Sequence, residues 1–201
     1  MDEGYIGHIV EHPEISVRDL EVIRAHQPNA HWIVDLASGR GGFIATCQGE
    51  PMEVLGLDNN PVAARICRGQ GLPFVLGDVA SLPFASGSLD VVRAKEIIEH
   101  LGDASTMLEE IHRVLRRDGL FLAHVPSQFS TIYPVGNFWD DYTHVRPLSR
   151  LGVKRLLEDG GFQLIFIRGY TAGRNAWERL AGRVLSLVLP HTWLAVARKS
   201  A

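Results

Sequence analysis

The sequence predicts a doubly wound α/β fold: a mostly parallel, seven-stranded sheet with helices on both faces. Three observations carry this. Short apolar runs alternate with segments of helical period along most of the chain. The runs are nearly continuous rather than alternating with polar residues, the mark of strands buried on both faces. The 201 residues are 46% hydrophobic and 21% charged, ordinary globular values and enough to bury a core without staples.

Each element has a local reason. Ser16 and Asp19 match a capping box, so a helix is expected from there to about Gln27, closed by Pro28. His31–Leu36 is the first strand, and Gly39-Arg40-Gly41-Gly42 turns the chain into a helix. Glu53–Leu57 is the second strand, ending at Asp58. Asn60-Pro61 then caps a helix with proline at its first position. Leu72–Leu76 and Leu89–Ala94 are the third and fourth strands. Asp103 caps a helix whose stripe is Met107, Leu108, Ile111, Val114 and Leu115, and Gly119 ends it. Leu120–Val125 is the fifth strand. A helix over Ser149–Asp159, a strand over Phe162–Arg168, a helical stretch over Asn175–Leu189 and a strand over Trp193–Ala197 complete the chain. The expected organisation is one domain over 1–201. It has an N-terminal helical segment at 1–30 and a helical insertion at 174–190 before the last strand.

Residues 126–147 carry no period but five aromatics: Phe129, Tyr133, Phe138, Trp139 and Tyr142. A long unpatterned loop in a compact domain is commonly functional, so this one is expected to line a substrate pocket.

Composition excludes several classes. Two cysteines, Cys47 and Cys67, rule out a disulfide scaffold and make a reducing, cytoplasmic location the expectation. Asp2 and Glu3 have the wrong charge for a signal peptide. The uncharged stretch Val184–Ala197 is too short to span a bilayer. Net charge is −3, with 17 acids against 7 bases in residues 1–112 and 6 against 13 in residues 113–201. No overall basic footprint for nucleic acid results, although the C-terminal half is basic. Trp177, Leu180, Ala181, Val184, Leu185 and Val188 make an apolar face with Arg174, Arg179 and Arg183 nearby. It is expected to cover the sheet edge, with membrane-surface contact the less favoured reading. His8-Ile9-Val10-Glu11-His12 matches an inverted zinc-protease pattern, but Pro13 follows at once and no further ligand is spaced for it, so no metal site is expected.

Ligands of open α/β sheets lie beyond the carboxyl ends of the strands. The first strand is followed by Asp35-Leu36-Ala37-Ser38-Gly39-Arg40-Gly41, the second by Asp58, and the third by Gly77-Asp78. A glycine turn, a ribose acceptor and an amine acceptor together describe a nucleoside site. A dinucleotide fingerprint would place glycine where Ile44 stands, and an acid as early as Asp35 suits an amino group better than a pyrophosphate. Asp58 also suits a second role, capping the following helix.

These segments resemble the class I S-adenosylmethionine-dependent methyltransferases, over most of the chain. Asp35–Gly41 is similar to their Asp-x-Gly-x-Gly-x-Gly motif, departing at Ala37. Asp58 and Asp78 match the acids after their second and third strands. Leu82-Pro83-Phe84, Ser88–Val92, Glu96-Ile97-Ile98-Glu99-His100-Leu101 and Arg113–Leu120 follow at family spacing. Asp141-Tyr142-Thr143-His144-Val145-Arg146-Pro147 and Leu156–Phe162 are similar to segments of the ubiquinone-biosynthesis-like, type 11 group.

The resemblance implies a Rossmann-like fold and methyl transfer from S-adenosylmethionine to a hydroxyl or amine of a small molecule, of glycan, quinone or lipid-like class. It implies cofactor contacts from Asp35, Ala37, Ser38, Gly39, Gly41, Asp58, Asn59, Asp78, Val79, Lys95 and Glu96, with Gly41 against the amino-acid end. His100 and His144 are the candidate bases, with Tyr5 as a partner for His100. Three other readings stay open at this point: a nicotinamide-dependent oxidoreductase, a non-catalytic binding module of the same fold, and an RNA methyltransferase.

Overall fold

The computed structural model describes residues 13–133, 137–171 and 187–200. Helix α1 (Pro13–His26) precedes strand β1 (Trp32–Leu36), the short α2 (Gly42–Thr46), β2 (Glu53–Asp58), α3 (Pro61–Gly69) and β3 (Phe74–Leu76). Then come β4 (Leu89–Lys95), α4 (Ser105–Val114), β5 (Leu115–Pro126), α5 (Arg150–Asp159), β6 (Phe162–Tyr170) and β7 (Thr192–Lys199).

The seven strands form one sheet in the order β3-β2-β1-β4-β5-β7-β6. β1 to β5 pair in parallel, and β7 enters antiparallel between β5 and β6. The strand order reverses between β1 and β4, whose carboxyl ends open together at the switch point where such sheets bind ligands.

Side-chain alternation divides the core between the two faces. Ile33, Val91, Leu120, Leu122, Leu194 and Val196 pack with α1, α2 and Cys67 of α3. Val34, Leu36, Val92, Ala94, Phe121 and Ala123 pack with α4 and α5 on the other face. Both faces of the central strands are therefore apolar, which is why those strands read as continuous runs.

Two expectations are corrected here. Ser16 and Asp19 do not open a helix. They lie inside α1, both buried, because the side chain of Asp19 is directed at the sheet rather than at a helix end. The helix after Asp103 stops at Val114 rather than running on to Gly119. Leu115 already pairs with Leu89 as part of β5, and the chain turns at Asp118, whose φ is +59°. Asp103 does serve this helix, with Oδ1 accepting the Ser105 N–H at 2.9 Å. The expected stretch Asn175–Leu189 lies outside the described residues for all but its last three positions.

Candidate active site

The loop leaving β1 is built on left-handed backbone at alternate positions: Ala37 at φ +53°, Gly39 at +52° and Gly41 at +81°. Glycine adopts this conformation freely, whereas a Cβ costs about 1–2 kcal/mol. Ala37 therefore occupies a site that favours glycine. Ala37→Gly is expected to raise stability by about 0.5–1 kcal/mol, the strain relieved less the entropy that glycine adds to the unfolded chain. A thermal melt checks it, and a lower melting temperature would show that the Ala37 methyl packs favourably.

Gly41 has, besides its left-handed backbone, a second reason to be glycine. A Cβ there would lie 2.6 Å from Leu72 Cδ1 and 3.1 Å from Cys67 Sγ, so its bare face meets the core. Gly41→Ala is expected to cost about 1–2 kcal/mol of stability from the backbone alone. A urea midpoint equal to wild type would refute that.

Asp58 ties this loop down. Its Oδ2 accepts the Gly39 N–H at 3.0 Å and its Oδ1 accepts the Asn60 N–H at 2.9 Å. The cap of α3 is Asn60, whose Oδ1 accepts the Val62 N–H at 2.8 Å, so Asp58 is left to hold the loop. Asn59 beside it is exposed. Asp78 stands exposed past β3, with Oδ1 on the Ala80 N–H at 2.9 Å, and Val79 packs against the core. Among the described residues, two polar atoms buried around this loop have no hydrogen-bond partner: Ser38 Oγ and Asn60 Nδ2.

Asp35 is 2% exposed, and its Oδ1 accepts from Arg93 Nη1 at 2.6 Å. Arg93 Nε donates to Asp19 Oδ2 at 2.7 Å, and His124 Nε2 lies 2.9 Å from the same oxygen. His124 Nδ1 lies 2.9 Å from Tyr170 Oη. This buried chain joins α1, β1, β4, β5 and β6 just beneath the carboxyl edge. Burial alone would raise the Asp19 carboxyl, but His124 and Arg93 outweigh it and hold it down at about 2. For Asp35 burial outweighs the attraction of Arg93 and pushes the carboxyl up. The sequence did contain the signal for this network: Arg93 is a charge in the middle of a strand whose central neighbours, Val91, Val92 and Ala94, are apolar, and Asp19 a charge on the apolar face of a helix.

A second cluster lies past β4. Lys95 Nζ is 3.0 Å from Glu96 Oε2, and Glu96 is left-handed at φ +52°, its N–H donating to His124 O at 2.9 Å. The chain then makes a single 3-10 turn, Ile98–His100. Glu99 is 1% exposed, and neither carboxylate oxygen has a hydrogen-bond partner among the described residues. Burial, and after it the charge of Glu96, hold its carboxyl well above the usual range. The His100 ring lies 4.6 Å from the His144 ring, centroid to centroid. Burial, and then His144, lower the His100 imidazole below its ordinary value.

The 126–147 segment is what brings His144 there. Val145 N–H donates to Glu99 O at 2.8 Å, and Phe138, 2% exposed, packs 4.5 Å from the His144 ring. Asn137 and Asp140 close a capping box around the turn Phe138–Asp140, leaving Trp139 and Tyr142 exposed at 58% and 93%. Two of the three expected catalytic residues, His100 and His144, thus meet. The third, Tyr5, and the His8–His12 motif lie outside the described residues.

Residues 34–123 match the methyltransferase domain family of type 11. A probable S-adenosylmethionine-dependent methyltransferase of Mycolicibacterium smegmatis is 29% identical over 86% of this chain and 68% of its own length. A ubiquinone/menaquinone biosynthesis C-methyltransferase of Desulfotalea psychrophila is 30% identical over 62% of this chain and 54% of its own. This chain thus spans about two thirds of one relative and half of the other. Among solved structures, a SAM-dependent methyltransferase from Archaeoglobus fulgidus superposes with a TM-score of 0.73 at 21% identity, covering 94% of this chain and 95% of that one. The 1,6-didemethyltoxoflavin-N1-methyltransferase of Burkholderia thailandensis, solved with its acceptor and S-adenosylhomocysteine, superposes at 0.69, with 21% identity over 94% and 80%. The strand order with its inserted antiparallel β7 and these likenesses agree: the chain has the fold of the class I S-adenosylmethionine-dependent methyltransferases, and its residues 34–123 match their type 11 domain.

Proposed function

We propose that this protein transfers a methyl group from S-adenosylmethionine to a hydroxyl or amine of a small molecule, of glycan, quinone or lipid-like class. The acceptor would lie between the end of β4 and residues 126–147. The residues around the β1 loop suit the cofactor. Ser38 Oγ and Asn60 Nδ2 are buried polar atoms with unspent hydrogen-bonding capacity beside the loop. Asp58, held by two backbone N–H groups, keeps further lone pairs for a ribose, and exposed Asp78 can accept from an exocyclic amine. Lys95 and Glu96 border the same edge.

Bound there, the cofactor supplies a methyl group already activated on a sulfonium. The protein's share is then to hold the acceptor in line and to manage its proton, and positioning can supply roughly 7–11 kcal/mol. The observation that carries the reading is the meeting of His100 and His144 at 4.6 Å, from different segments, beside exposed Trp139 and Tyr142. Together with Glu99 they are the groups placed to activate an acceptor. Asp35 supports the loop from below through Arg93.

The decisive experiment is an acceptor screen with isotopically labelled S-adenosylmethionine, read by mass spectrometry of products. Label in a small molecule is the expected result. Label only in RNA, or retention of a nicotinamide cofactor in place of S-adenosylmethionine, would overturn the reading.

A further inference from the structure

We propose that Glu99, His100 and His144 hold a divalent first-row transition cation at the carboxyl end of β4. One ligand-capable atom from each lies within 4.8 Å of the others. The hydrogen bonds around them fix which atoms are free. His144 Nδ1 is 2.6 Å from Phe138 O, and a carbonyl only accepts, so Nδ1 carries the proton and Nε2 a bare lone pair. His100 Nδ1 is 2.8 Å from Thr143 Oγ1. That hydroxyl is 2.6 Å from Asp141 Oδ1 and gives its proton to the carboxylate, so it accepts from His100 Nδ1–H. The Nε2 of His100 is bare as well. Glu99 adds two buried oxygens that no described donor meets.

Each of the three residues thus keeps a lone pair that no side-chain donor among the described residues meets, and the three residues stand together. A buried carboxyl in that state keeps its proton, and a cation seated here would take that proton's place. Imidazole N–H groups donating to a backbone carbonyl and to a hydroxyl held by a carboxylate are the supports that metal-bound histidines use. Two imidazoles and one carboxylate suit zinc, iron(II), cobalt(II) or manganese better than magnesium or calcium, which prefer oxygen alone. Metal–ligand arms of about 2.0–2.2 Å put neighbouring ligands nearer than 4.8 Å, so binding draws these side chains together. Sequence spacing does not reveal the set, because His144 is far along the chain from the Glu99-His100 pair.

The role of the cation rests on the methyl-transfer reading, although its binding does not. Three protein ligands leave a coordination position for the acceptor's hydroxyl oxygen, which the cation acidifies. The hydroxyl proton leaves to solvent. An oxygen lone pair forms the C–O bond to the methyl carbon as the C–S bond breaks, and its electron pair stays on sulfur, giving a neutral thioether.

The test uses the whole chain, stripped with chelator and titrated with Co²⁺ in the absence of methyl donor and acceptor. It is followed by calorimetry and by visible absorption. One equivalent should bind with new visible bands. Glu99→Gln, which leaves every histidine in place, and His144→Ala should each weaken binding at least tenfold. No stoichiometric uptake by wild type, or equal affinity in both variants, would overturn the site. Because donor and acceptor are absent, failure here leaves the methyl-transfer reading standing. A cobalt-binding protein that labels no small molecule would instead sink that reading.

Discussion

Arg93→Met should cost about 3–5 kcal/mol of folding stability, the largest single loss expected in this protein. The guanidinium is 4% exposed and bonds Asp19 of α1 and Asp35 of β1 at once, while lying 4.6 Å over the Phe43 ring. Methionine fills much of the volume but removes the charge, leaving two buried carboxylates to face each other. Asp19 keeps His124, whereas Asp35 loses its only described cationic hydrogen-bond partner. Urea denaturation measures the loss, and a change under about 1 kcal/mol would mean the ion network does not hold α1 to the sheet. Asp19→Asn and Asp35→Asn in the Arg93→Met background should recover much of it, since breaking a buried pair costs far more than replacing it whole.

The same network sets an acid limb. Asp19 lies below its ordinary value when folded, so its contribution is present above 3.8 and is lost as pH falls toward about 2. In Arg93→Met that limb should begin at higher pH, because a carboxyl without the guanidinium is easier to protonate.

Most of the sheet was legible because each central strand had to be apolar on both faces, and the runs at Ile33–Leu36 and Leu89–Ala94 are buried throughout. The loop after β1 was legible because left-handed backbone selects glycine, and Ala37 marks the one place in this loop where it did not. Less legible was whatever depends on distant pairing. The Ser16–Asp19 pattern satisfies a local rule, yet Asp19 answers to Arg93 and His124, and no local rule reports a partner 74 or 105 residues away. Glu99 reads as a polar residue in a short turn until the 126–147 segment folds over it and brings His144 alongside. Gly41 was legible as a turn glycine, but its fit against the core was not, because Leu72 and Cys67 come to it from the chain beyond β2.

Asp58→Ala should lower affinity for S-adenosylmethionine roughly 10–150-fold, the equivalent of losing hydrogen bonds to a charged group worth about 1.5–3 kcal/mol. The structure adds a second route to this loss. The carboxylate also accepts from Gly39 and Asn60, so alanine frees the loop after β1 as well as removing a ribose acceptor. The two routes separate in Asp58→Asn. Its remaining carbonyl oxygen can still take one of the two backbone N–H groups, while its amide cannot accept from a second hydroxyl. If the ribose contact dominates, asparagine should lose nearly as much affinity as alanine while keeping more of the stability. If loop order dominates, affinity and stability should fall in proportion across the two variants. Calorimetric titration of both, beside their urea midpoints, decides between them. Unchanged affinity in a folded Asp58→Ala protein would show that this carboxylate only ties the loop, and that the ribose, if bound at this edge, is held by other groups.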